Sequence, residues 1–286
     1  MTRAAFGLLA LAVLVGCGQP RDITPFPSAP VTDPPPVADA AQRVLRYACE
    51  MGPVTEPRDR SCYGPTLSVY ADGTVIYRDA TQAWAPLGLA RVYPGYRVVR
   101  LTSPGLEGLL QDATAIIREA AADPGTPPQP NEPIGDPFYW DTFDLSDGAA
   151  TIELRPGRGP LPRHGASTAR LTVLARQLGS WTPANADLVT PIVPYRAERA
   201  CALLQRGAEG AGAPWPWPDL DAADLGLGAG PDARVTVPVD SAHLRTLMGD
   251  RGGWRAVVAG LPDGKGAAWL DVRVLMPDEP CPPRVA

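Results

Sequence analysis

Apolar and polar positions alternate from Leu45 onwards, where Leu45, Tyr47, Cys49 and Met51 are separated by Arg46, Ala48 and Glu50. That two-residue period predicts a strand with one buried face and turns Cys49 toward the core. Three further stretches carry a hairpin signal, an Asp-Gly pair between β-rich runs. Residues 66–70 and 74–77 flank Ala71-Asp72-Gly73; residues 138–145 and 150–154 flank Ser146-Asp147-Gly148; residues 254–260 and 268–275 flank Asp263-Gly264. Antiparallel sheet is the predicted backbone of the fold.

The period changes between these hairpins. After Ser103-Pro104, which reads as a capped start, Leu106, Leu109, Leu110, Ala113, Ile116 and Ile117 fall on one helical face, and Asp123-Pro124 ends the run. A second helix is predicted from near Ser167, with Leu171, Leu174 and Leu178 inward and Gly179 closing it. A third is predicted from near Asp240, with Leu244, Leu247 and Met248 inward before Gly249. The expected class is α+β, an antiparallel sheet built from hairpins with helices packed on it, in two lobes (42–190 and 191–286) that meet within 182–200.

The N-terminal stretch follows neither period. Arg3 precedes an apolar run over 4–15 that is too short to span a bilayer, and the run ends in Leu14-Val15-Gly16-Cys17. These four residues have the form of a bacterial lipobox. Small side chains fit a signal peptidase groove, and the Cys17 thiol takes a diacylglyceryl group before cleavage. Residues 1–16 are then a signal peptide, and the mature chain is held at the outer face of the membrane by acyl chains such as palmitate. An ordinary secretory leader with a chance cysteine is the plainer alternative. Residues 17–41, with Pro20, Pro25, Pro27, Pro30 and Pro34-Pro35-Pro36, read as an extended tether. At roughly 3.1 Å per residue it could reach on the order of 70 Å.

Export changes the meaning of the cysteines. With Cys17 acylated, Cys49, Cys62, Cys201 and Cys281 remain, an even number in an oxidising compartment. The favoured pairing is Cys49 with Cys62, bracketing a short loop, and Cys201 with Cys281. Zinc is not expected, because no Cys-x-x-Cys occurs and His164 and His243 are far apart in the chain. The net charge of -5 becomes more negative once Arg3 leaves, and no basic stripe interleaves with aromatics, so no nucleic-acid footprint is present.

Candidate chemistry is sparse. His164-Gly165-Ala166-Ser167-Thr168-Ala169 comes nearest to a nucleophile elbow, but it lacks the final glycine and follows a Pro/Gly loop, so a helix cap accounts better for Ser167. His243 lies three residues past Asp240 without a thiol or serine partner. Asp141, Asp144 and Asp147 do not converge on calcium, because Asp141 and Asp144 point to opposite faces of a strand. Asp219, Asp221 and Asp224 depart from a calcium loop at Ala223. In Pro214-Trp215-Pro216-Trp217-Pro218 the indoles could form a sugar-stacking platform or pack into the core, with at least one expected to be buried. The Pro-rich loop over 123–137 is long enough to cover a site or to be a plain connection.

The lipobox, Leu67-Ser68-Val69-Tyr70-Ala71-Asp72-Gly73-Thr74-Val75-Ile76, Tyr93-Pro94-Gly95 and Leu275-Met276-Pro277-Asp278-Glu279 resemble a family of uncharacterised actinobacterial lipoproteins. The resemblance implies location and scaffold and assigns no catalytic residue and no cofactor. The reading that follows is a non-enzymatic, lipid-anchored envelope protein that contacts the membrane through its lipid and binds an envelope protein or polysaccharide. Its rivals are a secreted hydrolase with a dispersed site around Ser167 and His164, and a glycan-binding protein using Trp215 and Trp217.

Overall fold

The computed structural model describes residues 42–51, 65–79, 81, 85–87, 90–122, 139–146, 151–154, 166–183, 187–209, 211–217, 232–238, 252–261 and 266–281. In chain order the elements are β1 (Arg43–Met51), β2 (Pro65–Tyr70), β3 (Thr74–Arg78), β4 (Ala85–Leu87), β5 (Ala90–Tyr93), β6 (Tyr96–Arg100), α1 (Ser103–Ala122), β7 (Tyr139–Ser146), β8 (Thr151–Leu154), α2 (Ala166–Gly179), β9 (Val193–Pro194), β10 (Arg199–Ala208), β11 (Ala213–Pro214), β12 (Asp232–Pro238), β13 (Gly253–Ala259) and β14 (Ala267–Val274). Among the described residues strands dominate and two helices accompany them, so the class is α+β with a β-rich character. The third expected helix, near Asp240, lies outside the described residues.

Each Asp-Gly signal falls between strands that pair antiparallel: β2 with β3, β7 with β8, and β13 with β14. At the first turn the Asp72 carboxylate accepts both the Thr74 amide and the Thr74 hydroxyl at 2.9 Å, which fixes the bend. Gly73 has φ +87°, and a Cβ there would press on the Leu101 carbonyl oxygen, so this position requires glycine twice over.

The strands form two sheets, ordered β8-β7-β1-β2-β3-β6-β9 and β12-β10-β14-β13-β5-β4, with β11 added parallel to β13. They exchange chain. After β3 the hairpin β4–β5 crosses to pair with β13, and β6 returns to the first sheet. Pro94-Gly95 makes the return: the Gly95 carbonyl accepts the Asp79 amide at 2.9 Å, and the Tyr93 carbonyl accepts the Gly252 amide at 3.2 Å. A Cβ on Gly252 would overlap the Pro94 carbonyl oxygen, so the crossover is possible only against a bare backbone.

Register shows why the first sheet is covered on both faces, where the sequence suggests one. Leu145, Leu45, Val69, Val75 and Val99 stand side by side across five strands, all buried. They meet Ala113, Ile117 and Ala120 of α1 and Leu171, Leu174 and Leu178 of α2. The adjacent row, Asp144, Arg46, Ser68, Ile76 and Val98, points to the other face. There Ile76 and Val98, with Tyr70 and Tyr96, pack on Ala202, Leu204, Trp254, Leu270 and Val272 of the second sheet. The layers are therefore helices, first sheet, second sheet.

The helices follow their apolar periods with one adjustment at the start of α1. Thr102, not Ser103, caps it: its hydroxyl oxygen accepts the Gly105 amide at 3.2 Å, and its carbonyl accepts the Leu106 amide at 2.9 Å. Ser103 and Pro104 then occupy the first helical positions, where a missing N–H costs nothing.

Candidate functional site

The densest polar cluster among the described residues lies where the first sheet meets the strap after β14. β1 presents Arg43 and Arg46 and β7 presents Asp144, which is paired in register with Arg46. Arg46 reaches the Asp144 carboxylate at 3.2 Å and Arg43 reaches the same oxygen at 3.7 Å. Arg43 also holds Asp278 at 2.8 Å, and the Tyr70 hydroxyl donates to the other Asp278 oxygen at 2.9 Å. Glu279, buried, accepts from Arg273 at 2.8 Å, lies 4.0 Å from Arg46 and accepts the Met276 amide at 3.2 Å.

The strap is held from its other side as well. Arg199 donates to the carbonyls of Met276 and Pro277, and the Tyr195 hydroxyl donates to the Leu275 carbonyl at 3.1 Å. Cys281, just beyond, is bonded to Cys201 on β10, with Cα atoms 5.1 Å apart, the pairing expected from the sequence. Burial, followed by the neighbouring Asp278 carboxylate, pushes the Tyr70 phenol far above its ordinary range; burial, Glu198 and Glu279 do the same to Tyr195. Both remain protonated donors at any physiological pH. Cations and carboxylates here face one another in pairs, so the arrangement clamps the strap to both sheets and leaves no activated nucleophile at the cluster.

A second polar pair lies beneath the helices. The Tyr47 hydroxyl donates to Asp141 at 2.7 Å, with Tyr47 also stacked at a tilt on Phe143, centroids 5.3 Å apart. Burial raises the Asp141 carboxyl above its usual range, and the bond from Tyr47 offsets part of that rise. A third carboxylate shows the opposite balance. Burial raises Asp79, but hydrogen bonds from Thr81 and the Arg97 guanidinium at 2.7 Å outweigh it, and its carboxyl lies below the ordinary value.

The candidates from the sequence are dispersed. Trp215 and Trp217 are both buried in the core between the sheets, edge to face with centroids 5.3 Å apart. Of the two readings open for this repeat, core packing is the one that burial of both indoles matches. Asp141 and Asp144 do point to opposite faces and hold different partners. Ser167 lies in the first turn of α2. Cys49 is disulfide-bonded and lies opposite Asp141 in register. Cys17, Cys62, His164, Asp147, Asp219, Asp221, Asp224, His243 and the loop over 123–137 lie outside the described residues. Among the described residues no three His, Cys, Asp or Glu side chains converge as metal ligands do.

Asp144, Tyr70, Asp278 and Glu279 are each met in the sequence, but nothing there joins them into one cluster; Arg46 and Asp144 leave a trace only as charges inside runs otherwise rich in β-formers. Of the segments quoted above, 67–76 supplies Tyr70 and 275–279 is the strap itself, while 93–95 makes the sheet crossover. No protein-family model, curated protein or solved structure matches the chain.

Proposed function

We propose that the protein is a lipid-anchored envelope protein, carried across the membrane by residues 1–16 and held at its outer face by acyl chains on Cys17, where it serves as a non-enzymatic binding or structural module. The observation that carries this reading is Leu14-Val15-Gly16-Cys17 at the end of a short apolar run behind Arg3. The Cys201–Cys281 bond supports it, since structural disulfides persist in oxidising compartments. By the same logic Cys49 pairs with Cys62. The two hydrophobic clusters, one under the helices and one between the sheets, support reading the fold as two lobes tied by exchanged strands.

The clamped strap suits a scaffold whose surface has to stay fixed for a partner, an envelope protein or polysaccharide. Intact mass of detergent-extracted protein tests the anchor. The expected species begins at Cys17 and carries a diacylglyceryl group, and an unmodified full-length chain in the cytosol would overturn the reading. A serine-reactive probe tests the non-enzymatic part: saturable labelling of Ser167 would replace it with a hydrolase.

A further inference from the structure

The point where the chain enters its fold determines which end of the first sheet is tethered. The Gln42 carbonyl accepts the Ala71 amide at 2.8 Å, and the Gly73 carbonyl, in the same turn, accepts the Leu101 amide at 2.9 Å. Leu101 forms an antiparallel bridge with Leu188, and the Thr102 amide donates to the Asp187 carbonyl at 2.9 Å. These contacts run along one end of the sheet, from the start of β1 to the segment 187–190. At about 4.8 Å per strand, Leu188 stands on the order of 20 Å from Gln42.

The same segment carries apolar surface that the fold leaves in water. Among the described residues the exposed large apolar side chains are Val173, Leu188, Val189 and Ile192, at 49, 38, 59 and 44% exposure, and the last three fall within five positions. Single exposed apolar side chains are ordinary, whereas a cluster marks a contact surface. Strand addition is a poor use for it. Pro191 and Pro194 have no N–H to offer, and the Val189 amide is already given to the Arg100 carbonyl at 2.8 Å.

We propose that Leu188, Val189 and Ile192 form a membrane-resting edge that inserts shallowly among the lipids of the bilayer to which Cys17 is anchored, an inference that rests on the lipoprotein reading. Residues 17–41 join anchor to fold. A flexible chain of that length spans about 28 Å, and a fully extended one on the order of 70 Å, so the tethered end of the sheet can lie against the lipid. Anchoring makes this contact intramolecular, and insertion too weak to hold a free protein suffices for a tethered one. The anchored chain, without Arg3, is more negative than the -5 of the whole sequence, so the attraction is apolar and raising the salt should not weaken it.

The test uses the mature lipidated protein, from Cys17 onwards, in phosphatidylethanolamine and phosphatidylglycerol vesicles, with an environment-sensitive fluorophore on Val189→Cys. Glu209→Cys, past the far end of β10, is the control. With nitroxide-bearing lipid present, the label at 189 should shift to the blue and be quenched severalfold more than the control, at high salt no less than at low. Adding Leu188→Gln and Ile192→Gln should abolish that excess while flotation with vesicles is unchanged. Equal quenching at both positions in protein that floats would overturn the docking edge alone; protein that does not float would overturn the anchor and the edge together. Shielding at 189 that grows with protein density, without quenching by lipid, would assign the surface to a second copy of the chain and overturn the proposal.

Discussion

Asp141 and Asp144 stand three positions apart on β7, and the pleat sends them to opposite faces of the first sheet, one beneath the helices and one at the seam. On the helix side Asp141 lies opposite Cys49 in register and has the neutral Tyr47 phenol as its hydrogen-bond partner, and its carboxyl is pushed up by burial. At the seam the row begins with charges, and Asp144 sits against two guanidinium groups. The difference shows one strand serving two kinds of cohesion. Its helix side holds by packing, and its strap side holds by paired charge that specifies where residues 275–279 lie.

The largest effect should come from breaking the packed side. Phe143 is fully buried against Tyr47, and Phe143→Ala is expected to cost about 3–5 kcal/mol in chemical denaturation, through lost transfer energy and the cavity left behind. A loss below about 1 kcal/mol would mean that the helices do not close on this face as described.

The charged side should break differently. Asp144→Leu removes the 3.2 Å partner of Arg46, whose side chain is only 12% exposed, and is expected to cost about 1.5–3 kcal/mol. Replacing both partners, with Arg46→Met and Asp144→Leu, should cost less than the single change, because removing both charges also removes their desolvation penalty. Additive losses in that double-mutant cycle would show that the pair is not coupled and would erase the contrast between the faces.

What was legible in the sequence follows the same division. The hairpins and both described helices announce themselves locally, through Asp-Gly turns and through Leu106, Leu109, Leu110 and Ala113 or Leu171, Leu174 and Leu178 at helical spacing. The strand exchange does not. β4 and β9 are three and two residues long, each contains a proline, and their pairing with distant partners leaves no period to read. The burial of both faces of β1 was hidden because Arg46 looks like a solvent-facing residue until Glu279, far along the chain, is brought beside it. Trp215 and Trp217 are ambiguous in sequence for a related reason. A Pro-Trp repeat has the same local stiffness whether its indoles meet a ligand or a second sheet.

The smallest effects, and the most specific, concern pH. The raised Asp141 carboxyl contributes stability that is fully present below its unfolded value of 3.8 and is lost as pH rises through its folded value. The lowered Asp79 carboxyl behaves oppositely, contributing above 3.8 and losing that contribution as pH falls through its own folded value. Asp141→Asn keeps an oxygen to accept the Tyr47 hydroxyl and should therefore be more stable than the parent at pH 7, with the advantage vanishing well below pH 3.8. Asp79→Asn should be less stable than the parent at pH 7, with its deficit shrinking in acid as the parent's own carboxylate is protonated and its charged bond to Arg97 is lost. Denaturant midpoints of the three proteins at pH 7 and pH 3 separate the cases. If Asp141→Asn were the less stable protein at pH 7, the carboxylate beneath the helices would be held by charge after all, and the two faces of the sheet would not differ in the way their rows of neighbours imply.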